Sequence, residues 1–288
     1  MLYLESFSLP SQRQEESYLN GIRLTCYDSF YPFQVFQNRR CPTWTFAPVT
    51  IFYGGNGSGT STLLNVIAEK LRVQRGAVYN RTPFYEDYVD MCDYDLDRRT
   101  LSLPKGSRII TSDDVFDFLL NLRCLNQGVD VSREAMFQEY QRQKRRTDFR
   151  LQSMADYEEL REIVDARRMT QSKFVRSRLA DNVRERSNGE SALTFFTEAI
   201  RENALYLLDE PENSLSPKLQ LELRQFLADS ARFYRCQLII ATHSQFLLSL
   251  PQEKVYDLDA TPPREARWTE LENVRTYRQF FLDHESEF

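Results

Sequence analysis

The sequence predicts an α/β domain: a mostly parallel sheet with flanking helices, an antiparallel β part at the N-terminus and a helical insertion. Three observations carry this. Fully apolar strand-like runs alternate with helix-spaced apolar residues, the pattern of a parallel sheet covered on both faces. One such run, Thr50-Ile51-Phe52-Tyr53, passes directly into a glycine cluster and then a helix. A charged stretch at 125–186 interrupts the alternation.

Taken in order, Leu2–Phe7, Gly21–Tyr27 and Phe33–Gln37 read as short strands, because each combines aromatic and branched residues between polar stretches. After the strand at 50–53, Leu63, Leu64, Val66, Ile67 and Leu71 recur at helical spacing. The region 78–109 reads as irregular, with Pro83, Pro104 and Gly106 as breakers. Asp113 and Asp114 suit the N-terminus of a helix through Phe116, Leu119 and Leu122. Within the insertion Met154, Tyr157, Leu160 and Val164 step by three or four, but 141–148 holds almost nothing apolar, which argues against a sustained coiled coil. Ala192 to Ile200 then reads as helix, Ala204–Leu208 as strand, Lys218–Ala228 as helix, Cys236–Ala241 as strand, Gln245–Leu250 as short helix and Val255–Leu258 as strand. The expected divisions are 1–124 and 187–288 as the two halves of one domain, with 125–186 inserted between them.

Composition narrows the function classes. With 41% hydrophobic and 27% charged residues the chain is neither disordered nor fibrous. No apolar run approaches the ~18 residues of a membrane helix, and the start lacks the pattern of an export signal. Five cysteines without a CxxC pair indicate neither a disulfide framework nor a structural zinc site. A cytoplasmic protein without a membrane partner is the expectation. The formal net charge of -5 argues against uniform wrapping by nucleic acid. Residues 141–186 nevertheless carry 13 Lys/Arg against 8 Asp/Glu, which reads either as a solvated helical face or as a docking surface.

Four of only nine glycines lie in Gly54-Gly55-Asn56-Gly57-Ser58-Gly59-Thr60-Ser61-Thr62. This fits the phosphate-binding form GxxxxGK[ST] everywhere except the lysine, which is Thr60. Such a loop curls its N–H groups around a β-phosphate, and the helix that follows turns its positive end to the same charge. Ser61 takes the hydroxyl position that binds Mg²⁺. The missing lysine would bridge the β- and γ-phosphates, and its loss costs ~1.5–3 kcal/mol for a charge-assisted contact and more in a transition state. Weak or absent hydrolysis is expected, and the otherwise intact loop favours an introduced Lys-to-Thr change over a natural one. The strand Leu205–Leu208 ends in Asp209 and Glu210, which suits Asp209 to the metal and Glu210 to the attacking water. Ile239-Ile240-Ala241-Thr242-His243-Ser244 ends a further strand with one of two histidines, and His243 suits a γ-phosphate sensor facing the crevice at the strand ends. Ser187-Asn188-Gly189-Glu190-Ser191 reads by itself as a helix cap.

In this order and spacing, the phosphate loop, SNGES, LLDEPENSLSP and ATHS resemble the ATP-binding-cassette ATPases, in particular stand-alone members related to the SMC-like and RecF-like group. The resemblance covers about 30–124 and 187–260. It implies a P-loop nucleotide-binding domain of the ABC type that uses ATP and Mg²⁺. It further implies a head-to-tail homodimer in which Ser187, Asn188, Gly189 and Glu190 reach the γ-phosphate held by the other subunit. Ser214, Leu215 and Ser216 fall in the loop that speaks across that interface. The glutamine that often contacts the metal is not evident, its region being Ser112-Asp113-Asp114. Relatives of this type accompany a nuclease, toxin or other effector in bacterial antiviral defence. The resemblance thus implies an ATP-driven switch holding an effector. The alternatives are a non-hydrolysing scaffold that sequesters a toxin or nuclease, and a DNA-end or repair ATPase using Arg142, Arg145 and Arg146.

Overall fold

The structure, a computed structural model, describes all residues except 23–26, 38, 146–160, 162, 163, 167, 178–186 and 252. It comprises two compact units, Met1–Phe116 with Asn188–Phe288, and Asp117–Ser187. Among the described residues the strands are β1 (Leu4–Ser8), β2 (Trp44–Thr45), β3 (Val49–Tyr53), β4 (Asp93–Leu96), β5 (Arg108–Ile110), β6 (Leu205–Asp209), β7 (Gln237–Ala241), β8 (Glu253–Asp257) and β9 (Arg264–Glu265). The helices are α1 (Gln12–Gly21), α2 (Thr60–Lys70), α3 (Tyr85–Asp90), α4 (Ser112–Arg145), α5 (Gln171–Arg176), α6 (Asn188–Ala199), α7 (Pro217–Phe233), α8 (Gln245–Leu248) and α9 (Glu272–Asp283).

In the first unit, the larger sheet has the order β5-β6-β7-β3-β8-β9. All its pairings are parallel except β8 with β9. Its central strands are apolar on both faces because both are covered: every residue of β3 and β7 is buried. A smaller antiparallel sheet, β2-β1-β4, holds the N-terminus. The fold is therefore the expected mixed α/β class with an N-terminal antiparallel part. Leu63, Leu64 and Ile67 of α2 share one core with Phe52, Leu205, Leu207 and Ile239. The helix that follows the glycine loop is thus packed against the same strands that carry the carboxylates. Gln237, fully buried in β7, joins the two sheets. Its Oε1 accepts from Tyr3 N at 2.7 Å and Leu4 N at 2.8 Å, and its Nε2 donates to Leu4 O at 2.8 Å.

Several expectations for the N-terminal half need correction. Phe33–Gln37 forms successive turns, not a strand: Phe33 N donates to Phe30 O, Val35 N to Pro32 O and Gln37 N to Gln34 O. The aromatic period there is three, Phe30-Phe33-Phe36, which suits turns and buries Phe33 and Phe36 on one side. The expected strand Gly21–Tyr27 falls on residues 23–26, outside the described residues, and Gly21 closes α1. That helix is mostly polar, and its start is fixed by a capping box between Ser11 and Gln14 rather than by an apolar stripe. The region 78–109 contains α3, β4 and β5.

In the second unit, Tyr140, Ala166, Phe174 and Val175 form a small core with Met136, Phe137 and Met169 packed on it. The helix α4 continues unbroken to Arg145. Arg142 pairs with Glu139, Arg145 lies in the last turn, and Arg146 lies outside the described residues, as do Met154, Tyr157 and Leu160. Among the described residues no helix is long and apolar enough to cross a membrane.

Candidate nucleotide site

The site gathers at the C-terminal ends of the parallel strands, where loops leave the sheet. β3 ends at Tyr53 and the glycine cluster follows, turning into α2 at Thr60. Gly59 has φ +92°, and a Cβ there would stand 2.9 Å from Phe36 Cε1, so both backbone and space require glycine. The loop is tied at both ends. Ser58 N donates to Gly55 O at 3.0 Å, and Leu63 N to Gly59 O at 2.8 Å. Arg39 Nη1 donates to Ser58 O at 2.6 Å and Leu258 O at 3.1 Å. The Asp259 carboxylate accepts from Gly55 N through both oxygens, at 2.9 and 3.1 Å. Asn56 is exposed, Gly54 is buried at the foot of the loop, and Thr62 Oγ1 is within 3.1 Å of Tyr31 OH.

Ser61 Oγ donates to Asp209 Oδ1 at 2.9 Å, joining the first turn of α2 to the end of β6. Burial pushes the Asp209 carboxyl up to about 7 from its ordinary 3.8. The Ser61 hydrogen bond and the charge of Arg75 oppose that rise, while Glu210 and Glu212 add to it. A desolvated carboxylate and a hydroxyl, both hard oxygen donors, fit Mg²⁺. Among the described residues no cluster of three or more His, Cys, Asp and Glu side chains is arranged to hold a metal ion by itself. A cation there would complete its shell with phosphate oxygens and water. Arg75 is stacked 3.9 Å from the Tyr79 ring centre, with Nη1 and Nη2 buried and without a hydrogen-bond partner among the described residues.

Glu210 follows Asp209 in the left-handed region, φ +48°, a strained position for a residue with a side chain. Its amide donates to Ala241 O at 2.9 Å, and its Oε2 accepts from Asn213 Nδ2 at 2.9 Å. The side chain is 37% exposed. His243 Nδ1 stands 4.0 Å from Glu210 Oε1 and 3.7 Å from Glu212 Oε1. The two strand-end residues singled out in the sequence are thus neighbours in space.

Asn188, Gly189 and Glu190 open α6, and Ser187 precedes it. A Cβ on Gly189 would lie 2.6 Å from Leu219 Cδ1 and 3.2 Å from Ser214 O. Gly189 therefore abuts the Ser214-Leu215-Ser216 loop within one chain. Ser214 has φ +68°, Leu215 is buried, and Ser216 caps α7 ahead of Pro217. In the Ser112-Asp113-Asp114 region, Asp114 is committed elsewhere: it accepts from Ala77 N, Thr111 N and Thr111 Oγ1.

The sequence profile of the AAA_21 family, described as "AAA domain, putative AbiEii toxin, Type IV TA system", matches residues 103–249. The chain belongs to this family. The match spans β6, Asp209, Glu210 and His243, and the glycine loop that leads into α2 lies N-terminal to it, the order expected of a P-loop domain. No curated protein matches the chain. Among solved structures, the chain is similar to an Smc head domain with an extended coiled coil bound to the C-terminal domain of ScpA, from Pyrococcus furiosus, at 13% identity and TM-score 0.47, covering 99% of this chain and 100% of that one. It is also similar to a nucleotide-free ATP-binding cassette from an ABC transporter, at 15% identity and TM-score 0.45, covering 97% and 96%. A dimeric cassette in a post-hydrolysis state bound to ADP and Pi matches at 15% identity and TM-score 0.36, covering 80% and 90%.

Sequence reading missed Arg39, Asp259 and Glu212. Asp259 had a signal, since Asp257 and Asp259 end an apolar strand as Asp209 does. Arg39 had none.

Proposed function

We propose that the chain is an ATP-driven dimerisation switch that controls or holds an effector protein. The observation that carries the reading is the Ser61 Oγ to Asp209 Oδ1 hydrogen bond, because it joins the hydroxyl of a phosphate loop to the carboxylate of the strand that also presents Glu210. ATP lies along the loop from Gly54 to Thr62, its phosphates held by backbone N–H groups and the N-terminus of α2. Ser61 and Asp209 would hold Mg²⁺, which would supply charge neutralisation for the phosphates. Glu210, steadied by Asn213, accepts the proton of the attacking water, and His243 reads the γ-phosphate. Ser187 to Glu190 of a second subunit close on that phosphate, with Ser214 to Ser216 at the same interface. The arginine-rich insertion carries the change to the effector. The family's description, which names a type IV toxin–antitoxin system, supports a role for the chain in a system of that kind.

Thr60 favours a second reading alongside it. With one hydroxyl and no charge where a lysine stands in GxxxxGK[ST], the chain as written binds nucleotide with little turnover and acts as a scaffold. Light scattering tests the switch. Glu210→Gln combined with Thr60→Lys is expected to dimerise with Mg²⁺-ATP and stay monomeric with ADP. A monomer under both conditions would count against it.

A further inference from the structure

Glu212 is the second glutamate of Asp209-Glu210-Pro211-Glu212, and its side chain is 5% exposed. One oxygen, Oε1, accepts three hydrogen bonds from a single short segment: Thr242 Oγ1 at 2.6 Å, His243 N at 3.0 Å and Ser244 N at 3.2 Å. Oε2 is buried with no hydrogen-bond partner among the described residues. Burying a carboxylate this deeply is unfavourable unless hydrogen bonds replace its water. Here they fasten the loop after β7 to the loop after β6. A second tie runs beside the first. Ser244 Oγ donates to Gln220 Oε1 at 2.7 Å, and Gln220 Nε2 donates to Leu215 O at 2.9 Å.

We infer that Glu212 is a positioning residue for His243, with Gln220 as its second anchor. The two fix residues 242–244 to the loop that carries Glu210 and continues into Ser214–Ser216. The inference rests on the proposed nucleotide site, since it assigns these residues to that site's γ-phosphate end. The His243 ring gains its place beside Glu210 through its own backbone: its amide is held by Glu212, and its carbonyl accepts from Asn273 Nδ2 at 3.1 Å. Any displacement of residues 214–216 by a second subunit then reaches His243 through Gln220 and Glu212, without passing through the phosphate loop. Neither residue touches the phosphate loop in any of these contacts.

Amide hydrogen exchange on the full chain, resolved to residues 242–245 and to α2, tests this. Glu212→Ala is expected to speed exchange at His243 by about tenfold or more, the factor that follows loss of a charge-assisted hydrogen bond, and at Ser244 by less, because its amide also donates to Thr242 Oγ1 at 3.0 Å. Amides of α2 should keep the parent rate. Glu212→Gln, whose amide oxygen can accept the same bonds, should restore most of the protection. In the Thr60→Lys background, Glu212→Ala should lower kcat while leaving the affinity for a fluorescent ATP analogue within about twofold, the split expected when placement of a catalytic group is lost. Unchanged exchange at His243 overturns the proposal, and so does a rise spread equally over α2, which would mark a general folding role. If the exchange pattern is as expected but neither parent nor Thr60→Lys protein binds the analogue, the fastening stands and the nucleotide reading falls.

Discussion

Replacing Asp209 by Asn removes a carboxyl that burial pushes up to about 7. Below about pH 4 this group is protonated in both folded and unfolded chains, so it carries no penalty. Between pH 4 and 7 the unfolded chain releases its proton while the folded chain retains it, and folding is progressively disfavoured as pH rises. The full penalty, reached above pH 7, is about 4 kcal/mol for a shift from 3.8 to about 7. Asn does not titrate, and its Oδ1 can still accept from Ser61 Oγ. Without nucleotide or divalent cation, Asp209→Asn should match the parent in urea midpoint at pH 4 and exceed it at pH 8, by up to about 4 kcal/mol. Adding Mg²⁺ and nucleotide at pH 8 should narrow the gap by stabilising the parent alone. A gap that does not grow with pH, or a variant less stable than its parent at pH 8, would refute the reasoning.

Other substitutions test separate parts of the account. Gln237→Leu leaves the buried amides of Tyr3 and Leu4 without an acceptor, and should cost about 2–5 kcal/mol in denaturant titration. Gly189→Ala sets a Cβ 3.2 Å from the Ser214 carbonyl and 2.6 Å from Leu219 Cδ1. The leucine tip can move but the carbonyl is backbone, so a loss of about 1–3 kcal/mol is expected in thermal unfolding. The same variant should weaken nucleotide-dependent dimerisation more than nucleotide affinity, measured by light scattering and analogue binding. Thr60→Lys should tighten ATP-analogue binding by about tenfold or more, because it adds a charge-assisted contact.

The geometry of the candidate site was legible where it is local. A glycine-rich turn between strand and helix, and carboxylates or a histidine ending an apolar strand, are written in consecutive residues, and Ser61, Asp209, Glu210 and His243 come together as their strands predict. What escaped is held by distant partners. Asp259 caps Gly55 across 204 residues, and Arg39 reaches Leu258 across 219. Glu212 was hidden for another reason: its neighbours Asp209 and Glu210 account for the motif, while its own bonds go to a different loop. In the fold, α1 escaped because a capping box, a buried Glu15 and the half-buried Tyr18 and Leu19 suffice for a helix that shows no apolar stripe. Phe33–Gln37 was misread because aromatic content was weighed above its period of three.

The central claim is that Ser61, Asp209 and Glu210 form a hydrolytic ATP site limited by Thr60. The most direct measurement is Mg²⁺-dependent phosphate release from ATP by the chain as it stands, by Thr60→Lys, and by Thr60→Lys with Glu210→Gln. The account predicts little turnover in the first, clear turnover in the second, and its loss in the third. No turnover in the lysine form, or turnover that Glu210→Gln leaves untouched, would contradict it.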